Sequence, residues 1–175
     1  MMTQVFPIQS IGRAARVSLL SVAAFTAILA VIVWSARAVH PVVMTGAALL
    51  ALATAVLFLW FMLAQRGSRI EVSDSAIDIR IPLYGRSIGR DQIVPGSVRT
   101  VSVAQDTPYR LTWRTNALGV PGYQLGWFRS AGAGKILAAL TTKNAIAFQT
   151  KAGFAVLLSV RDPVGLERVL GGAAP

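Results

Sequence analysis

The sequence predicts two membrane-crossing helices followed by a small, mainly-β domain that closes with one helix. Three observations carry this reading. There are two long uncharged apolar runs before residue 65, period-two alternation after residue 68, and an Asp-Pro helix start near residue 162.

Of the 175 residues, 54% are hydrophobic, and the excess lies almost wholly in the first 65 positions. The run "VSLLSVAAFTAILAVIVWSA", 17–36, holds twenty residues without a charge. At about 1.5 Å per residue, a helix of that length matches the ~30 Å hydrocarbon core of a bilayer. The second run, "VVMTGAALLALATAVLFLWFMLA", 42–64, is longer and equally uncharged. Both are apolar on every side, and a chain this short has too little other protein to cover them.

The connection "RAVHP", 37–41, suits only a tight hairpin, so the outer ends of both helices emerge on one side. Arg13 and Arg16 precede the first run and Arg66 and Arg69 follow the second, while the connection carries only Arg37. By the positive-inside rule, both termini and the C-terminal domain are expected in the cytoplasm. Trp34, Trp60 and Phe61 fall near the span ends, where amphipathic rings settle. Ala36 and Ala38 in "SARA" form a small-x-small pattern like that of a signal-peptide cleavage site. The apolar run is long for a signal and a second span follows at once, so an uncleaved anchor is expected; cleavage would leave the domain on the same side. The small-residue stretch "TGAALLALATA" permits close helix packing within one chain or in a homo-oligomer. The expected organisation is a cytoplasmic segment 1–16, a transmembrane hairpin 17–65 and a β domain 67–171.

In that domain, "RIEVS" (69–73) and "AIDIRI" (76–81) alternate apolar and polar residues across a Ser-Asp-Ser turn, which is the pattern of a β-hairpin. Further strands are expected at 98–104, 109–114, 122–128, 135–141, 144–150 and 154–160. Short strands at this spacing, separated by Gly, Pro and polar turns, indicate an antiparallel sandwich or barrel. In "DPVGLERVLGG", Asp162 suits a helix cap, Pro163 the first helical position and Gly171-Gly172 the stop. Leu166, Val169 and Leu170 then form a stripe able to cover an open end of the sheets.

The formal charge is +10, and residues 66–175 carry fourteen Lys and Arg against seven Asp and Glu, a net +7. Such an excess suits nucleic acid or an anionic membrane surface. The adjoining spans favour the membrane, and no nucleic-acid partner is expected. Candidate contacts to anionic lipid are Arg66 and Arg69, just past the second span, with Arg86 and Arg90 in "YGRSIGR". Arg110 and Arg114 are expected on the outward face of their strand.

Catalysis has little to work with. The chain has no cysteine and one histidine, His40, and its acids are scattered singly, so neither acid-base chemistry nor a metal centre is expected. A hydrolase with an unrecognised site is the alternative of another class. "SAGAGKI", 130–136, fails as a phosphate-binding loop twice, with Arg129 where a glycine is needed and Ile136 where Ser or Thr is needed.

"GVPGYQLGWF", 119–128, reads as a Pro121-Gly122 turn entering a strand with Tyr123, Leu125 and Trp127 on one face. Its other reading is a groove built from Gly122, Tyr123, Gly126, Trp127 and Phe128. Together with "LTTKNAIAFQTKAGFAVLLSVRDPVGLERVL", this segment resembles the C-terminal half of the bacterial pleckstrin-homology-like (PH-like) domains. The resemblance covers roughly residues 67–170. It implies a partial barrel of two antiparallel sheets, about seven strands, with one end plugged by the C-terminal helix. Related domains bind phospholipid headgroups, peptides or proteins, and few are enzymes. The expected function is therefore a non-enzymatic, cofactor-free scaffold at the bacterial inner membrane, presenting its basic domain to a protein partner. An anionic-lipid or ligand sensor is the alternative.

Overall fold

A short strand precedes the first helix: β1 (Gln4–Pro7) is followed by α1 (Arg13–Ser35) and α2 (Pro41–Gln65). In this computed structural model residues 3–35 and 41–171 are described; the connection 36–40, with His40, Arg37, Ala36 and Ala38, lies outside them. Both helices are long and apolar enough to cross a membrane. Their side chains, among them Leu20, Val31, Leu50 and Leu57, are exposed along most of the length. The hydroxyls of Thr26, Thr45 and Thr54 donate to carbonyls one turn back at 2.8–3.0 Å, so these polar groups need no water.

Among the described residues, burial in the two helices is confined to the ends nearest the β domain. Ala15, Leu19 and Phe61 lose almost all solvent contact, and Ala15 and Phe61 join the main core of the domain. Arg16 Nε donates to Ile11 O at 3.0 Å and secures the entry into α1.

The first sheet has the order β1-β2-β3-β4, with β2 (Arg69–Val72), β3 (Ala76–Arg80) and β4 (Arg86–Gly89), all antiparallel. The alternation seen in the sequence sets its register: Ile70 faces Ile79, Val72 faces Ile77 and Ile77 faces Ile88, all pointing into the core. The 1–16 segment supplies β1, whose Phe6 lies opposite Ile70. Pro7 is tolerated there because β1 is an edge strand. Pairing of β1 with β2 ties the chain before α1 to the chain after α2, so the helical pair leaves and re-enters the domain at one place.

The second sheet contains β5 (Arg99–Ser102), β6 (Trp113–Val120), β7 (Tyr123–Ser130), β8 (Gly134–Leu140), β9 (Asn144–Gln149) and β10 (Phe154–Leu158), in the order β5-β9-β10-β8-β7-β6. The expected two sheets are present, and they differ from the expectation in three respects. Residues 67–171 hold nine described strands rather than about seven, and the 1–16 segment adds a tenth. The strand expected at 109–114 is displaced: Thr107–Tyr109 forms a 3-10 turn that buries Tyr109, and the strand runs from Trp113. Arg110 accordingly lies outside any strand.

Finally, β10 runs parallel to β8, with Ala155 opposite Ile136 and Leu157 opposite Ala138, so the second sheet is not wholly antiparallel. It inserts between β8 and β9, which the three-residue link 141–143 carries across its end. Ser159 fastens that crossing by donating to Asn144 O at 3.1 Å and accepting from Thr142 N–H at 3.4 Å. Burial on both faces explains why β8, β9 and β10 read as continuous apolar runs.

Core side chains lie on both sides of this sheet. One layer, facing the four-stranded sheet, includes Leu125, Leu137, Phe148 and Val156; the other packs Phe128, Ile136 and Leu157 against Tyr109. The last helix, α3 (Pro163–Gly171), begins where Asp162 Oδ1 accepts from the Gly165 N–H at 2.9 Å. Leu166 and Leu170 cover the core between the sheets, as their spacing predicts.

Candidate functional site

The 119–128 segment forms the β6–β7 hairpin. Gly122 turns the chain at φ +76°, and a Cβ there would lie 3.7 Å from Ala14 Cβ, so the turn rests on the first turn of α1. Gly126 has φ +117°, and a Cβ there would come within 2.6 Å of Asn116 O and 2.9 Å of the Tyr84 ring. Tyr123, Leu125 and Trp127 do share one face, toward the main core, while Phe128 points to the second layer.

Tyr123 is 3% exposed and packs edge-on against Phe61 of α2, with ring centroids 5.9 Å apart. Burial pushes its hydroxyl pKa well above the ordinary tyrosine value. The Gln65 side chain faces it and partly offsets that rise, but neither Gln65 Nε2 nor the Tyr123 hydroxyl reaches hydrogen-bond geometry with a partner among the described residues.

The candidate arginines occupy different settings. Arg66 is exposed. Arg69 Nε and Arg80 Nη2 hold Glu71 at 2.7 and 2.9 Å. The Arg69 hydrogen bond, helped by the charge of Arg80, keeps the Glu71 carboxyl below its usual range against the opposing effect of desolvation. Arg90 donates to Ser73 O at 3.4 Å and to Val169 O, fastening α3 to the β2–β3 turn.

Arg86 instead lies over aromatic rings, 5.0 Å from the Phe154 centroid and 5.7 Å from that of Trp127. Lys135 Nζ is 4.3 Å from the same Trp127 ring, so two cations share one indole. The fold therefore joins Arg86 to Trp127 and sends Arg90 to α3. Lys135 and Phe154 were not singled out in the sequence; only the folded sheet brings them to Trp127.

Two adjoining clefts flank the hairpin. One, of 660 Å³, is lined by Arg110, Arg114, Tyr123, Thr141 and Lys143 together with the 119–122 turn. The other, of 420 Å³ and mainly apolar, lies between β6 and the domain-proximal ends of the helices, lined by Leu19, Leu57, Trp60, Phe61 and Leu118. Arg114, Gly119, Val120 and Tyr123 line both. Among the described residues, no three His, Cys, Asp or Glu side chains are grouped to hold a metal ion.

No curated protein and no solved structure matches this chain. A family profile described as the bacterial PH domain matches residues 68–172, the stretch that begins just before β2 and takes in α3. The chain belongs to the bacterial PH domain family.

Proposed function

We propose that this chain is a membrane-anchored, non-enzymatic binding module that recruits a protein partner to the inner membrane. The observation that carries the reading is the β1–β2 pairing beside two lipid-length, outwardly apolar helices. It allows the helical pair to be inserted as a hairpin while the β domain remains on one side, at the surface. In this reading 17–65 is the anchor, with spans near 17–36 and 42–64, and 67–171 is the working domain. The arginine pairs flanking the hairpin support a cytoplasmic side for that domain and both termini by the positive-inside rule, with Arg66 offered to the anionic headgroups.

A protein partner is favoured by β6, an eight-residue edge strand that is exposed along most of its length and carries Trp113 at 72% exposure. Edges of this kind accept an added strand from another chain. A photo-crosslinking residue in place of Trp113 should give one discrete adduct in native membranes, while the same residue at Arg161 gives none. Equal, diffuse labelling at both positions contradicts the reading.

An anion-sensing role has its own support in the Arg86, Lys135 and Trp127 cluster. It predicts salt-sensitive binding of anionic vesicles that is lost when Arg86→Glu and Lys135→Glu are combined.

A further inference from the structure

We infer that the free edge of β6 takes an extended segment of a partner protein in which acidic and apolar residues alternate. The inference rests on the partner-binding reading above and names the sequence pattern that the partner presents.

The edge itself is short. β6 is last in the order of its sheet, so among the described residues one side of it has no neighbouring strand. Its pairing with β7 is irregular between Arg114 and Asn116 and regular from Asn116 to Val120, just before Pro121. Such a bulge spoils the first part of the edge for further pairing, which leaves 116–120 as the acceptor. Antiparallel strands alternate between pairs that exchange both backbone hydrogen bonds and pairs that exchange none. Pro121 has no N–H, so Val120 and Tyr123, on either side of the turn, are a pair of the first kind. Counting back from them, Ala117 and Gly119 belong to the second kind and turn their N–H and C=O groups to the free edge.

The two clefts give this edge two unlike faces. The cationic cleft includes Leu140 of the second core layer and the apolar one includes Phe61 of the main core, so they open toward opposite faces of the sheet. The first brings Arg110, Arg114 and Lys143 together with no carboxylate in its lining, and none of the three forms an ion pair among the described residues. A Cβ at Gly119 would lie 3.0 Å from Arg114 Cζ, so the guanidinium lies over one of the two residues whose backbone faces outward. On the other face Leu118 lines the apolar cleft with Leu57 and Trp60. Side chains of an added strand point alternately to the two faces. Acidic residues at every second position meet the cations, and the apolar residues between them meet Leu118 and Trp60. A second copy of this chain is the wrong occupant, because its own β6 would bring another Arg110, Arg114 and Lys143 against the first set, and like charges repel.

The test uses the full chain in a neutral detergent, titrated against a short fluorescein-labelled peptide of strictly alternating valine and glutamate, with binding read as fluorescence anisotropy. The peptide should bind saturably, whereas a block peptide with the same valines and glutamates in two runs should not. Arg114→Gln should weaken binding about fivefold, the effect of one cross-strand charge pair. Ala117→Pro keeps every cation and removes one outward N–H at an edge position where proline is tolerated. It should weaken binding about tenfold with thermal unfolding nearly unchanged. Should Ala117→Pro lower thermal stability, the two peptides on the natural chain decide the matter alone. Arg161→Gln, the same charge loss at an exposed position elsewhere, should have no effect.

Three results overturn the inference. They are equal binding of the alternating and block peptides, unchanged binding by a stably folded Ala117→Pro chain, or a dimer in native mass spectrometry that Ala117→Pro dissociates, which would make the occupant a second copy. The Trp113 crosslink separates the two proposals: a discrete adduct without preference for the alternating peptide sinks only the pattern, whereas diffuse labelling sinks the partner-binding reading itself.

Discussion

The helical hairpin and the β domain are built from the same aliphatic side chains and treat them in opposite ways. In α2, Leu50, Leu52, Leu57 and Leu59 are all more than half exposed, whereas in the second sheet Leu137, Leu157 and Leu158 are wholly buried. The domain finds partners for its apolar surface within the chain; the hairpin leaves that surface outward, to be covered by something other than water, as lipid does in the proposed reading. The seam between these regimes is narrow, with Ala15, Phe61 and Tyr123 at its centre.

The sharpest way to break this contrast is to truncate one apolar side chain on each side of it. Phe148→Ala, at a site with no solvent exposure, should cost about 3–5 kcal/mol. Leu50→Ala, facing outward from α2, should leave thermal unfolding in detergent nearly unchanged. A comparable loss for both would mean that α2 is packed against protein.

Reversing the chemistry gives the next largest effect. Leu52→Arg, near the middle of α2, should weaken membrane insertion by about 2.5–3.5 kcal/mol, read as the fraction of chain resisting carbonate extraction. Within the domain, Gly126→Ala places a Cβ against Asn116 O at a strained φ and should cost about 1–3 kcal/mol in chemical unfolding of the full chain.

The smallest effect concerns pH. Glu71 has its folded pKa lowered, so its ion pairing stabilises the fold above the ordinary carboxylate range, and that stabilisation is lost as pH falls through the folded pKa. Glu71→Gln should therefore show a slightly shallower acid loss of Tm than the natural chain, with the difference absent at low pH.

Legibility in the sequence followed the locality of each signal. The helices, the β2–β3 hairpin and α3 were readable because their patterns lie within one segment: unbroken apolar runs, strict alternation, and Asp-Pro before a Leu stripe. Strand β4 was missed because "RSIG" buries one side chain, Ile88. Strand β6 was misplaced because an exposed edge with outward Trp113 and Leu118 does not alternate. Strand β1 looked like a tail, since its pairing with β2 reaches across the whole hairpin. The parallel placement of β10 beside β8 depends on which neighbour the chain chooses after the link 141–143, and no local residue encodes that choice.

The candidate site was less legible for the same reason. Arg86 and Arg90 are neighbours in sequence, yet one lies on Trp127 and the other on the α3 carbonyl of Val169. Arg110, just before β6, Arg114 in β6 and Lys143 in the β8–β9 link share a cleft only through the folded sheet, since they come from separate stretches of the chain.

The central claim, that lipid covers the hairpin while both of its outer ends share one side with the β domain, can be tested directly because the chain has no cysteine. Single cysteines replacing Val39, between the two apolar runs, and Lys151, in the domain, would be exposed to a membrane-impermeant maleimide in intact spheroplasts. The account predicts labelling at position 39 without permeabilisation and at 151 only after it. Labelling of both positions before permeabilisation, or of 151 alone, would contradict it.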